Sequence, residues 1–179
     1  MREQTPQPRR VKLTPLRADD LPAMFEWIND RESVLRNSAY RPVGEAQHRA
    51  WFESVQQRAD TVIFAVRLVG DGRLIGSCQL HGISPVHRSA ELQIRLGEPA
   101  HRGQGYGTEA VRLLLEFAFK DLNLNRVYLH VFGTNLAAIR VYEKVGFARE
   151  GLLRKAAYID GAYVDVLVMG ILREEYAGQ

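Results

Sequence analysis

The sequence predicts a single domain of the mixed α/β (α+β) class, with one parallel strand–helix–strand unit inside a mostly antiparallel sheet. Strands are predicted at residues 61–69 and 74–83, because the Gly-Asp-Gly-Arg stretch between them has the composition of a hairpin turn. Residues 89–96 form a further strand-like run, followed by a glycine-rich loop, an apolar-periodic helix at 106–120 and a strand at 126–131. Strands joined through a helix run parallel, with a right-handed crossover. A length of 179 residues suits one such domain.

The other elements follow from helix caps, periodicity and turn residues. Asp19 or Asp20 can cap a first helix that runs through Trp27, and a second helix is predicted at residues 45–59. Thr134 or Asn135 can cap a later helix at 135–145, and Gly146 can end it in a left-handed turn. The remaining predicted strands lie at 11–16, 148–157 and 163–172, and the last two turn at Gly161. No internal repeat or domain boundary is visible.

Bulk properties fit an ordinary globular protein: 46% of residues are apolar and 25% are charged. The single cysteine, Cys78, cannot form an internal disulfide, which agrees with a reducing, cytoplasmic location. No apolar run approaches the roughly 18 residues that span a bilayer, and the N-terminus does not resemble a signal peptide. We expect residues 1–10 to form a flexible basic tail and residues 11–176 to form the domain. Arg9 and Arg10 give that tail the means to touch RNA, although a solvated tail is the favoured interpretation.

The most informative segment is the loop at residues 102–108, Arg-Gly-Gln-Gly-Tyr-Gly-Thr. Glycines let the backbone approach a ligand, and the following helix N-terminus offers unpaired N–H groups and a positive dipole end. Such a loop can bind a phosphate. The alternating glycines do not fit the dinucleotide pattern, and no Lys-Ser or Lys-Thr pair completes a Walker A motif. A tight turn without a ligand is the alternative.

A second segment, at residues 135–147, adds to this signal. Asn135 and Tyr142 are seven residues apart, so they lie on one face of the predicted helix. Together the two segments resemble the GNAT superfamily of acyl-CoA-dependent N-acyltransferases. The phosphate-loop pattern is matched by Arg102, Gly105 and Gly107. The later motif, Asn-x-x-Ala-x-x-x-Tyr-x-x-x-Gly-Phe, is matched by Asn135, Ala138, Tyr142, Gly146 and Phe147.

The resemblance covers roughly residues 11–176, and is greatest to the branch of ribosomal-protein N-terminal acetyltransferases and bacterial spermidine acetyltransferases. Residues 87–94, 122–131 and 150–169 carry it. The spermidine enzymes have an acidic cluster in the first helical region. Here the matching segment, residues 37–44, has no acid and contains Arg41, which would repel a polycation.

The resemblance implies a GNAT-like fold in which the strand–helix–strand unit forms the site for acetyl-CoA, the donor substrate. The strand before the loop would splay from its parallel neighbour, leaving a gap for the pantetheine arm. Main-chain groups in that strand would bind pantetheine and hold the oxyanion, and backbone amides of the loop would bind the pyrophosphate. The implied acetyl-CoA contacts are Gln93, Ile94, Arg95, Arg102, Gly103, Gln104, Gly105, Tyr106, Gly107, Thr108 and Asn135.

Three residues are candidates for catalysis. The resemblance makes Tyr142 the general acid that protonates the departing thiolate; an amphipathic core role is the alternative. Glu91 can bind the ammonium form of the acceptor and pass its proton through water, or it can be a solvent-facing glutamate paired with Arg95 or Arg88. Asn135 can bind the cofactor arm or an ordered water, cap its helix, or do both.

Neither an acyl-enzyme nor a metal is implied. Cys78 lacks activating partners, and the five histidines show no ligand spacing. The predicted reaction is direct transfer in a ternary complex of acetyl-CoA and a primary amine: a protein N-terminus, a polyamine, an aminosugar or an amino-acid-like metabolite. Arginines of the first helical region, Arg31 and Arg36, favour an acceptor that bears a carboxylate or phosphate. A non-catalytic acyl-CoA-binding module and an RNA-associated protein are the competing functions, with nucleic-acid binding disfavoured. A homodimer is expected from the two sheet-forming C-terminal strands and from the resemblance, since members of that family often form one.

Overall fold

A computed structural model describes residues 8–177, in which seven strands form one sheet. The strand order is β1-β2-β3-β4-β5-β7-β6, and every neighbouring pair is antiparallel except β4 and β5. The strands are β1 (Val11–Pro15), β2 (Thr61–Leu68), β3 (Leu74–Ser84), β4 (Ser89–Leu96), β5 (Arg126–Phe132), β6 (Ala148–Ile159) and β7 (Ala162–Leu172). The predicted mixed sheet with one parallel unit is confirmed.

Within residues 8–177, six α-helices surround the sheet: α1 (Leu21–Asn29), α2 (Arg31–Val34), α3 (Glu45–Val55), α4 (Tyr106–Glu116), α5 (Leu136–Val145) and α6 (Arg173–Ala177). The helix predicted at 45–59 ends at Val55, and α4 passes into a π-helical turn at Phe117–Asp121. The sequence did not predict α2 or α6, because helices of four or five residues are too short to show a period. No helix in the described part of the chain is long and apolar enough to cross a membrane.

Apolar side chains fill both sides of the sheet. On one side, Leu114 and Leu115 of α4 pack with Leu92 of β4 and Leu129 of β5 in the main core. On the other side, α1 and α3 cover β2 with a smaller cluster that includes Trp27. The sheet is therefore sandwiched between helices, and the cavity described below lies on the α1–α3 side.

A glycine permits the close packing of α1 on the end of β4. A Cβ atom built at Gly97 would lie only 1.9 Å from the indole of Trp27. Real Cβ atoms do not approach other atoms so closely, so any larger residue here would displace the indole. Gly97 thus fixes the distance between α1 and the start of the glycine loop.

A buried ion pair ties the start of α1 to β2. Two oxygens of Asp20 lie 2.6 Å and 2.8 Å from Nη2 of Arg67, and Asp20 also accepts a hydrogen bond from the backbone N–H of Arg17 at 2.8 Å. The Asp20 and Arg67 side chains are only 5% and 12% exposed. Because each is the other's only oppositely charged partner among the described residues, loss of one would leave a buried charge uncompensated.

Two residues of the predicted N-terminal tail contact α4. Arg9 pairs with Glu116 at 3.1 Å, and the backbone N–H of Arg10 donates to Glu109 at 2.6 Å. Residues 1–7 lie outside the described residues, so the flexibility expected of the tail stays a prediction for them.

Candidate active site

The strands β4 and β5 are paired over only part of their length. Ladder pairs join Ser89–Glu91 to Arg126–Tyr128 and extend no further, although β4 stays paired with β3 as far as Leu96 and β5 with β7 as far as Phe132. Beyond Glu91, the two strands diverge. The edge of β4 that faces β5 therefore keeps free main-chain groups, as a strand-like ligand needs.

A cavity of about 520 Å³ lies at this divergence. Its walls come from β3, β4, β5, α5 and the α1–α3 region. Five residues that the sequence marked as site candidates line it together: Glu91, Gln93, Ile94, Arg95 and Tyr142. The fold thus brings two of the three catalytic candidates and the predicted pantetheine contacts into one space, whereas Asn135 does not belong to this lining.

Tyr142 reaches this cavity from α5 and is 8% exposed. Its ring packs edge-on against Phe147, with 5.7 Å between the ring centroids. Among the described residues its hydroxyl has no hydrogen-bond partner, so nothing in this part of the protein competes for its proton. Burial raises the pKa of Tyr142 to about 12, which keeps the phenol protonated at neutral pH. A protonated, unpaired phenol in a cavity is suited to be a general acid.

Glu91 lies between two histidines of the neighbouring strands. One carboxylate oxygen is 2.8 Å from Nδ1 of His130 on β5, and the other is 3.8 Å from Nε2 of His81 on β3, which is beyond hydrogen-bond reach. The Glu91 side chain is 18% exposed. The alternative in which Glu91 pairs with Arg88 or Arg95 is wrong, because neither guanidinium lies within ion-pair distance of Glu91. Sequence reasoning missed His81 and His130, since only strand pairing places them beside the carboxylate.

Asn135 forms the helix cap that the sequence predicted. Its Oδ1 accepts a hydrogen bond from the Ala138 N–H at 3.2 Å, and its Nδ2 donates to the Arg36 carbonyl at 3.1 Å. This side chain joins α5 to the segment after α2. A role toward the cofactor arm or an ordered water stays a prediction.

The glycine loop has the backbone geometry of an anion site. Gly103 and Gly105 adopt left-handed conformations, with φ of 73° and 87°, and α4 begins directly after Gly105. The first-turn N–H groups of Tyr106, Gly107 and Thr108 lack intrahelical partners by the rule of helix termini, and a helix of 11 residues adds its dipole. Without this left-handed turn at Gly105, the loop could not present these amides together.

Arg102 is turned toward protein acceptors in this structure. Its Nη2 donates to the Ser33 hydroxyl at 2.8 Å and to the carbonyls of Leu96 and Gly97 at 3.2 Å. This guanidinium therefore fastens the loop to α2 and to the end of β4. The contact with acetyl-CoA that the resemblance implies for Arg102 stays a prediction.

The cation beside the loop is instead Arg10. Its Nη1 donates to the Gln104 carbonyl at 3.0 Å, and its guanidinium carbon lies 4.8 Å from the centre of the Tyr106 ring. A Cβ at Gly105 would stand 2.9 Å from Arg10 Nη2. Nothing in the sequence links Arg10 to Gln104, because the two residues are 94 positions apart.

Burial of the thiol excludes a nucleophilic role for Cys78. This thiol is 2% exposed, and burial raises its pKa well above the usual range, so it does not ionise at neutral pH.

Among the described residues, no group of three or more histidine, cysteine, aspartate or glutamate side chains is arranged to hold a metal. His48, from α3, also lines the cavity; its ring stacks on Trp51 and burial lowers its pKa.

A family model for the acetyltransferase (GNAT) domain matches residues 10–148. Spermidine N(1)-acetyltransferase of Escherichia coli K12 is 31% identical over 180 residues, covering 97% of this chain and 92% of that protein. The Vibrio cholerae enzyme of that name is 42% identical over 103 residues, 58% of this chain and 59% of the relative. A putative ribosomal N-acetyltransferase of Bacillus subtilis, YdaF, is 33% identical over 69% of this chain and 67% of its own length.

The fold is also that of solved structures. The Vibrio cholerae spermidine N-acetyltransferase, in complex with CoA and spermine, superposes with a TM-score of 0.87 at 30% identity, covering 94% of this chain and 98% of that one. The family match, the splayed strands and the glycine loop agree with one another: the chain belongs to the GNAT family of acetyl-CoA-dependent N-acetyltransferases.

Proposed function

We propose that the protein transfers an acetyl group from acetyl-CoA to a primary amine by direct attack, with both substrates bound in the cavity between β4 and β5. The observation that carries this proposal is the meeting of Glu91 and Tyr142 in one cavity beside the free edge of β4. One residue can take a proton from the amine and the other can give one to the thiolate.

The residues present fit acetyl-CoA. The loop amides from Gln104 to Thr108 would hold the pyrophosphate at the N-terminus of α4. The free edge of β4 at Gln93, Ile94 and Arg95 would bind the pantetheine arm, and one N–H there would stabilise the oxyanion. Bound in this way, acetyl-CoA supplies the activated acetyl group.

Two side chains would move the protons. Glu91 binds the acceptor ammonium and takes its proton through water, which leaves the nitrogen lone pair free to attack the acetyl carbon. As the carbon–nitrogen bond forms and the carbon–sulfur bond breaks, Tyr142 donates its proton to the sulfur. The ammonium loses two protons in becoming the amide: one restores the phenol through solvent, and the other passes from Glu91 to solvent. Both side chains are therefore unchanged after each turnover.

His130 would position this carboxylate. Its Nδ1 lies 2.8 Å from Glu91, which holds the carboxylate toward the cavity. The pair is suited to a base, because a hydrogen-bonded and mostly buried carboxylate has few orientations open to it.

Thiol release from acetyl-CoA against an amine panel tests the proposal. The panel contains spermidine, an aminosugar, amino acids and peptides with a free N-terminal alanine or serine. We expect release with one class of amine, and at least a tenfold lower rate in Glu91→Gln. The matched control is Glu53→Gln, which alters an exposed carboxylate on α3. Binding of acetyl-CoA without release on any amine would favour the non-catalytic module instead.

A polyamine is the second candidate acceptor. It is favoured by the relatives named spermidine N-acetyltransferase, one of which was solved with CoA and spermine. The segment at residues 37–44 speaks against it, since it carries Arg41 and no acidic residue. Faster acetylation of spermidine than of any other amine in the panel would establish this candidate.

We also propose a homodimer formed through the hairpin of β6 and β7. β6 has 12 residues and lies at the edge of the sheet. Leu152 and Leu153 are about half exposed there, and Tyr158 and Tyr163 pack edge-on at its tip, with ring centroids 5.0 Å apart. A long edge strand with exposed leucines invites pairing with a second copy. Light scattering tests this: we expect twice the monomer mass, and a monomer for Leu153→Lys.

The free Cys78 supports a cytoplasmic location, where thiols stay reduced. Fractionation of expressing cells tests this location: we expect the protein among the cytoplasmic markers, and recovery elsewhere would contradict it.

A further inference from the structure

Arg95 has an unusual place in the cavity. It lies on β4, where strand alternation sets its side chain on the same face as Glu91 and Gln93, toward α1–α3. It lines the cavity together with these two residues. Its main chain faces the gap between β4 and β5, so Arg95 can serve acetyl-CoA with its backbone and another ligand with its guanidinium.

This guanidinium has no partner among the described residues. No carboxylate lies within 4.0 Å of it, and it makes no hydrogen bond within residues 8–177. The other inward-facing arginines differ: Arg67 is paired with Asp20, and Arg102 donates to a hydroxyl and two carbonyls. Burial also lowers the pKa of Arg95, as expected for a guanidinium that has lost water and has no anion beside it. A charge in that state is costly unless a ligand pairs with it.

No other charged group in the described lining of the cavity pairs with the Arg95 guanidinium. Glu91 is the single carboxylate in its lining within the described chain, and it is held by His130. The arginines that the sequence singled out are already paired: Arg36 with Glu32 at 3.2 Å, and Arg31 with Asp160 at 2.5 Å. Arg95 is therefore the cation in this space that is free to bind an anion.

We infer that Arg95 binds an oxyanion, a carboxylate or a phosphate, carried by the acceptor amine, and that the enzyme prefers such acceptors to polycations. This inference rests on the proposed function. A guanidinium suits an oxyanion because its planar fork can donate two parallel hydrogen bonds. Glu91 and Arg95 are four residues apart on one strand, about 13 Å between backbone positions. With the amine at Glu91, the oxyanion is separated from it by several bonds.

Acceptors of matched length test the inference directly. γ-Aminobutyrate, aminobutanol and putrescine share a four-carbon chain and end in a carboxylate, a hydroxyl and an ammonium group. Phosphoethanolamine against ethanolamine tests a phosphate. We expect kcat/KM for γ-aminobutyrate or phosphoethanolamine to exceed that of its neutral match at least tenfold, and putrescine to be the poorest substrate. Which anionic acceptor is favoured distinguishes a carboxylate from a phosphate.

Variants separate a specific contact from general charge. Arg95→Gln should lower kcat/KM for the anionic acceptors at least tenfold and that for aminobutanol less than threefold, and Arg95→Lys should recover part of the loss. Arg49→Gln is the control, because Arg49 is an exposed arginine on α3 beside Glu45. This variant should leave kcat/KM unchanged for the anionic acceptors and for aminobutanol. Thermal unfolding of each variant shows that the protein is folded.

Two results would overturn the inference: faster turnover of putrescine than of both anionic acceptors, or an equal loss for all acceptors in Arg95→Gln. If no amine releases thiol, the proposed function is wrong, and calorimetry then tests separately whether Arg95 binds an oxyanion. γ-Aminobutyrate and phosphoethanolamine are titrated into the acetyl-CoA complex. Binding that disappears in Arg95→Gln sustains the oxyanion site, and absence of binding to the unaltered protein overturns it.

Discussion

Replacing Tyr142 by phenylalanine separates catalysis from packing, because it deletes one oxygen atom and keeps the ring. The edge-on contact with Phe147 remains. Since the hydroxyl has no hydrogen-bond partner among the described residues, its removal leaves no buried group unsatisfied there. The free energy of unfolding should therefore change by less than about 1 kcal/mol.

Turnover should respond very differently. General acid catalysis typically contributes about 10²–10⁴-fold, and water in the cavity can replace part of it. We expect kcat of Tyr142→Phe to fall at least tenfold, which corresponds to about 1.4 kcal/mol of transition-state stabilisation. Affinity for acetyl-CoA should stay nearly unchanged, because the contacts proposed for it lie on β4 and in the glycine loop.

The assay combines thiol release at saturating amine, calorimetric titration of acetyl-CoA and thermal unfolding. Tyr163→Phe, at a position 67% exposed on β7, is the matched control and should behave like the unaltered protein. Unchanged turnover in Tyr142→Phe would refute the general-acid role. So would an equal loss in both variants.

The raised pKa of Tyr142 adds a dependence on pH. The folded-state pKa of about 12 exceeds the ordinary tyrosine pKa of about 10, so folding favours the protonated phenol. This contribution to stability is fully present below pH 10 and is lost as the pH rises toward 12. Turnover should accordingly show no fall centred at the ordinary tyrosine pKa of about 10. Such a fall, absent from Tyr142→Phe, would show that the phenol ionises too easily to act as described.

Three further changes test the fold and the loop. Gly97→Ala should lower the unfolding free energy by about 1–3 kcal/mol, because the added Cβ clashes with the indole of Trp27 on α1. Gly70→Ala, at a turn position where a Cβ meets no atom within 4 Å, should change it little, and equal Tm values for the two variants would contradict this packing. Asp20→Ala should lower the unfolding free energy measured with denaturant by about 3–5 kcal/mol, because it leaves the buried Arg67 charge without its carboxylate. A loss below about 1 kcal/mol would show that water compensates that charge. Arg10→Gln should weaken acetyl-CoA binding several-fold in calorimetry, with a smaller effect at high salt, and an unchanged affinity would remove this cation from the site.

The strands and the longer helices could be predicted from the sequence, because their signals are local. The capping asparagine and the terminal glycine of α5 mark its ends, and the alternation of apolar residues marks β4 within its observed bounds. The two glycine motifs indicated the family for the same reason: each is a contiguous stretch whose spacing carries its geometry.

The rest of the site depends on contacts between distant parts of the chain. The divergence of β4 and β5 is a property of strand pairing, which no single segment encodes. His81 and His130 meet Glu91 only because β3 and β5 flank β4, and Arg10 reaches the loop from the other end of the sequence. That the Arg95 guanidinium has no partner among the described residues could not be predicted either, because pairing depends on contacts in space. The arginines that the sequence singled out, Arg31 and Arg36, are the ones that pair.

Hydrogen exchange with and without CoA tests the central claim most directly, namely that the glycine loop and the free edge of β4 form the acetyl-CoA site. Exchange is followed peptide by peptide by mass spectrometry. The account predicts that CoA slows exchange at residues 93–95 and 104–108 and leaves the hairpin of β6 and β7 unchanged. Binding of CoA with slower exchange elsewhere, and none at these two segments, would contradict it.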